Sequence, residues 1–334
     1  MKTKSIYRFA VIIILAGLTF TACKKSNSSD TTTGTSNTDL QAQSNDQTTV
    51  SDATDDVAND VNTSLSATGS ATGSSIAPGI RYGVTTDGGG PDTLKVSQTI
   101  CDATVIADTI SNPHTITITY NGSNCGGTRT RTGVVVASIP AGTHWKDAGA
   151  VVTVSIQNLK ITRLSDKKSV TINGTHTYTN VSGGSLGSLP NLPNGITHTI
   201  TSSNMSVVFD NGATRMWSVA RQRLYKYANG VGTITTTGTH TDGSTTGISE
   251  WGTNRFGNSF ETVITQPLVL SSGCLLRLIS GQVVLNNAQG STTITFGLDA
   301  NGAATGCPLA GAYFYFKLVW AGNGGKTYTF ILPY

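Results

Sequence analysis

Glutamate is nearly missing from this chain: Glu250 and Glu261 are the only two in 334 residues. Charged residues make up 12% of it and aromatics 7%, while it carries 38 Gly and an excess of Thr, Ser and Asn. That shortage of strong helix formers disfavours long helices and suits extended strands joined by tight turns. Lys and Arg never form a dense run, which argues against nucleic acid as a partner. No helical pattern separates the strand-like segments, which excludes a parallel α/β sheet. The apolar run Phe9 to Leu18, broken only by Gly17, falls well short of the ~20 residues that span a bilayer.

What is present begins with that run. Lys2, Lys4 and Arg8 precede it, and Thr19-Phe20-Thr21-Ala22-Cys23 follows. A basic head, a short apolar stretch and small residues before a cleavage point describe a secretory signal over residues 1–22. The segment resembles the lipobox of bacterial lipoproteins, with Phe20 where leucine is usual. The resemblance implies a lipid on Cys23 and a membrane surface as the first partner. It points to the outer membrane, with the periplasmic side and the cell surface both open.

Charge is divided along the chain. Residues 26–90 hold eight Asp against Arg81 alone, net −7, and residues 91–334 hold sixteen Lys or Arg against ten Asp or Glu, net +6. Residues 23–50 are too polar to offset their ordering entropy and read as a disordered tether. Within 51–91, Ser51 to Ser66 reads as a short helix, with Val57, Val61 and Leu65 on one face. A Gly/Ser/Thr linker follows it. Residues 92–334 read as a single β domain. Thr115 to Tyr120 alternates polar and apolar residues, and Asp210-Asn211-Gly212 marks a hairpin. In Ala150 to Leu164 the apolar parity shifts after Ile156, which predicts a bulge near Asn158. Gly232 to Asp242 reads as one strand. The fold class expected is all-β: an antiparallel meander forming a two-layer sandwich or an open, curved half-barrel.

Several constellations can carry chemistry. Arg215, Trp217, Arg221, Arg223 and Tyr225 share strand parity, and with Arg129 and Arg131 they can form a cationic, aromatic face for an acidic glycan or a lipid headgroup. The same residues also suit a core, with arginine stems lying over apolar surface. Glu250, beside Trp251, and Glu261 are the only glutamate pair that a polysaccharide hydrolase can use. His176, His198 and His240 lie in Thr-His-Thr contexts, but nothing in their spacing makes them converge on a metal. Gly183-Gly184-Ser185-Leu186-Gly187 matches G-x-S-x-G but lacks the strand–helix context of a nucleophile elbow. No cofactor is expected.

Cys125-Gly126-Gly127-Thr128-Arg129-Thr130-Arg131-Thr132-Gly133, Lys146-Asp147-Ala148-Gly149-Ala150, and Gly252-Thr253-Asn254-Arg255-Phe256-Gly257-Asn258 with Cys274 resemble a family of uncharacterised Bacteroidota lipoproteins. The similarity covers roughly residues 95–310. It implies an exported, lipid-anchored β domain and carries no site residues. The function expected is a non-catalytic binding or structural role in the envelope, with glycan or another envelope component as ligand. A surface polysaccharide hydrolase and a purely structural spacer are the alternatives. Export also places Cys101, Cys125, Cys274 and Cys307 in an oxidising compartment. Each of the pairs Cys101–Cys125 and Cys274–Cys307 flanks a return of the chain, so these are the disulfides expected.

Overall fold

The computed structural model describes residues 37–67, 83–84, 92–95, 100–274, 277–307 and 313–334. Cys23 and the signal segment lie outside the described residues.

A single antiparallel sheet of 17 strands dominates. Two short strands open it, β1 (Gly83–Val84) and β2 (Asp92–Lys95). Seven strands then follow as consecutive hairpins: β3 (Ala103–Asp108), β4 (His114–Ser123), β5 (Arg129–Ile139), β6 (Ala150–Arg163), β7 (Ser169–Asn180), β8 (Ile196–Phe209) and β9 (Thr214–Ala228). The second half of β9 pairs with β10 (Val231–Gly238), and its first half pairs with β12 (Thr245–Thr253). Between these, the short β11 (His240–Asp242) turns back on β12. The expected single strand Gly232 to Asp242 is therefore two. The step between them falls at Gly238, where a Cβ would lie 2.0 Å from the carbonyl oxygen of Gly247. The meander resumes with β13 (Ser259–Ser271), β14 (Arg277–Asn287), β15 (Gly290–Leu298), β16 (Tyr315–Gly322) and β17 (Thr327–Pro333).

The parity shift in β6 is a bulge, as its sequence predicts. Register slips between Ile156 and Leu159, and Asn158 sits at φ 49°. Its backbone N–H donates to Asn173 Oδ1 at 2.7 Å. Opposite it, a Cβ on Gly133 would meet the Asn158 carbonyl oxygen at 2.5 Å. Such bulges add twist and bend the sheet.

Twisted open sheets rarely exceed about ten strands without curling, and this one curls around helix α1 (Asn37–Ala67). Side chains on β4 and β5 and side chains on β9 and β12 reach the same helix, so the sheet forms a trough. Val50, Ala53, Val57, Ala58, Val61 and Leu65 are buried along the helix. They join one core with Val152, Val154, Leu159, Ile172, Met205 and Val207 of the floor. A second apolar cluster, including Ile264, Val283, Ile294 and Trp320, lies on β13–β16.

The helix is longer than its sequence suggests. Residues 37–50, expected as part of the tether, are helical. Their Thr, Ser, Asn and Gln favour no helix alone, and Asp46 and Gln47 are buried against the trough. Contacts with the trough supply what propensity withholds.

Candidate functional site

Strand β9 lines the trough with three arginines and two aromatic rings. Its inward residues Arg215, Trp217, Val219, Arg221, Arg223 and Tyr225 are all buried. What covers them is the acidic helix α1 rather than water.

Glu250 of β12, with 0% exposure, sits at the centre. It accepts from Arg215 Nη2 at 2.8 Å, from Gln47 Nε2 of the helix at 2.6 Å, and from Arg221 Nη2. Arg215 Nη1 donates to Gln47 Oε1 at 2.8 Å. One turn and two turns onward, Ser51 Oγ and Asp55 meet Arg221, each at 3.1 Å. Asp55 also pairs with Arg223, and Asn62 Nδ2 donates to Tyr225 Oη at 3.2 Å. On the opposite wall Arg129 pairs with Asp56 at 2.9 Å. Arg131 grips Asp102 through two bonds of 2.6 Å and reaches Asp60 at 2.8 Å. Tyr120 Oη donates to Asp60 at 2.8 Å. At the rim Arg255 pairs with Asp46 and lies 3.9 Å above the Phe209 ring.

Burial dominates the electrostatics of this interface. It raises Asp46 and Asp60 to about 6, although Arg255 and Arg131 beside them oppose the shift. Burial, reinforced by Arg221 and Arg223, lowers His176 to about 3, and burial next to Arg223 does the same to His198. Both imidazoles are therefore neutral. Several N–H donors have no hydrogen-bond partner among the described residues: Nε of Arg215, Arg221 and Arg223, Nη1 of Arg223, and Nε1 of Trp217.

The sequence candidates fall as follows. Arg215, Trp217, Arg221, Arg223 and Tyr225 do come together, but under the helix. Glu250 and Glu261 do not. Trp251 lies directly opposite Glu261 in the β12–β13 ladder, and directly opposed residues share a face. Glu250, one residue on, points the other way and is buried, whereas Glu261 accepts from Asn286 Nδ2 at 2.8 Å. Two carboxylates on opposite faces cannot flank one glycosidic bond. His240 stacks on Trp251 with centroids 3.9 Å apart, while His198 packs between Trp145 and Tyr225. Among the described residues no group of three His, Cys, Asp or Glu can hold a metal ion. Ser185 begins the 3-10 turn Leu186–Asn191 and bonds to Ser188. The disulfides are Cys101–Cys125 and Cys274–Cys307, with Cα separations of 5.1 and 5.4 Å.

Sequence reasoning passed over the helix side of this interface: Asp46, Gln47, Asp55, Asp56, Asp60 and Asn62. The only signal for them is the opposed charge of the two chain segments. It also passed over a cleft of about 310 Å³ at one end of the trough, between the helix and the turns after β6, β8 and β12. Protein-family profiles, curated proteins and solved structures include no match to this chain.

Proposed function

We propose that the chain is a non-catalytic envelope lipoprotein, held at the outer membrane by a lipid on Cys23, whose β body is a rigid platform. The observation that carries this reading is the occupied trough. The cations best placed to read an acidic ligand, Arg215, Arg221 and Arg223, are spent on Glu250 and on the chain's own helix. An arginine row committed in this way stiffens the body and ties the N-terminal segment to it. Hydrolysis through the two glutamates is disfavoured by their placement on opposite faces.

The test is Cys23→Ser with fractionation and lipid labelling in a bacterial host. The wild-type chain should partition with outer membranes and carry the label. The variant should lose the label and become soluble. Unchanged membrane partitioning of the variant would refute the anchor. Protease shaving of intact cells assigns the side of the membrane. A reading as a binding module is favoured by the cleft at the trough's end, whose side chains, unlike the inward row of β9, include exposed ones.

A further inference from the structure

The cleft combines three features seldom found together on a β surface. Its floor is apolar and buried, made by Ile161, Val170 and Phe209. Three of its four cations are already matched: Arg129 to Asp56 at 2.9 Å, Arg163 to Asp166 at 2.9 Å, and Arg255 to Asp46. The remaining charged groups are exposed and of both signs. Lys168, Asp52 and Asp210 make no ion pair among the described residues, although enclosure by the cleft walls, with Asp55 nearby, raises the Asp52 carboxyl to about 7, and Thr49, Thr128 and Ser169 add hydroxyls.

This pattern discriminates among ligands. A simple anion would face Asp210 and would gain only Lys168, the arginines being neutralised. A simple cation would face Lys168 and the arginine pairs. A polyhydroxylated ring both donates and accepts at each hydroxyl, so it suits a wall of alternating carboxylate, ammonium and hydroxyl groups. Its C–H face suits the apolar floor. The volume lies at the lower end of ligand pockets, roughly 300–1,000 Å³. We infer that this cleft binds a saccharide of one or two rings, with Asp52, Asp210 and Lys168 hydrogen-bonding its hydroxyls over the Ile161 and Val170 floor. The inference rests on the reading of a non-catalytic envelope protein for the source of the sugar, and on the cleft alone for the site.

The experiment is saturation-transfer NMR on the full chain with methyl glycosides of glucose, glucosamine and glucuronic acid, and with sulfate as the anion control. At least one glycoside should show transfer at millimolar concentration, concentrated on its ring C–H protons. Asp210→Ala and Lys168→Ala, both at exposed positions, should each weaken binding about tenfold, the scale of a lost charged hydrogen bond. Lys326→Ala, on a distant turn, should leave it unchanged. Circular dichroism confirms that the variants fold. The site is overturned if no glycoside binds at tens of millimolar, if sulfate alone binds, or if both cleft variants bind like wild type. Failure here leaves the lipid anchor standing. Failure of the Cys23→Ser test leaves the cleft standing.

Discussion

Replacing Glu250 by Ala separates a structural carboxylate from a catalytic one. Glu250 has 0% exposure and is shared by Arg215, Arg221 and Gln47. Its removal leaves Arg221 with Asp55 and Ser51. Arg215, buried against Phe260 at 4.2 Å and Trp217 at 5.1 Å, keeps only the neutral Gln47 as a hydrogen-bond partner. Breaking a buried pair by deleting one partner costs about 3–5 kcal/mol, because a desolvated charge is left uncompensated. For a body of this size each kcal/mol moves the melting midpoint by about 2–4 °C, so Glu250→Ala should lower it by roughly 6–20 °C. Removing both charges with Glu250→Leu and Arg215→Leu should recover at least ~2 kcal/mol of that loss, since no charge then stays stranded. Differential scanning calorimetry and urea unfolding read both quantities. A single-variant loss within ~0.5 kcal/mol, the scale of an ordinary surface change, would refute the reasoning, as would a double variant worse than the single.

Other outcomes follow from the same interface and from the strands around it. Because burial raises Asp46 and Asp60 from 3.8 to about 6, the folded chain retains protons there that the unfolded chain has already released. These two carboxyls lower stability as pH rises from about 4 to about 6, whereas His176 and His198, held neutral down to about 3, raise it over the same range; the carboxyl contribution is therefore read as a difference, the stability of Asp46→Asn relative to wild type rising across this range in thermal melts, and a flat or falling difference would contradict the assignment. Gly133→Ala should destabilise the body by several kcal/mol, on the order of the large backbone-strain cases, since its Cβ would meet the Asn158 carbonyl oxygen at 2.5 Å; a neutral melt would show that the bulge relaxes. Peptide mapping of the unreduced protein should recover Cys101 linked to Cys125 and Cys274 linked to Cys307. Reduction should remove about 3.5–4 kcal/mol per bridge on the loop-entropy scale for sequence separations of 24 and 33.

The strands were largely legible in the sequence because each carries its own signal. Alternation marks β4, Asp210-Asn211-Gly212 marks the β8–β9 turn, and the shifted parity of β6 marks the bulge at Asn158. The disulfides were legible because each pair brackets a local return of the chain. The use made of Arg215, Arg221 and Arg223 was not. Their parity shows that they share a face, but nothing local shows what covers it. Their partners on the helix, Gln47, Ser51 and Asp55, lie more than 160 residues away. The helical residues before Val50 were illegible for the same reason, since they fold by contact rather than by propensity. The cleft was illegible because Lys168, Asp210 and Arg255 come from three separate turns.

The inlaid helix also fixes an order of events. It precedes every described strand, and some of the groups that hold it come far later in the chain: Gln47 waits for Glu250, 203 residues later, and Asp46 waits for Arg255, 209 residues later. Loops of that length close late, after the hairpins between neighbouring strands. Docking of α1 therefore requires that the meander, from β4 to the β12–β13 turn, has reached its register.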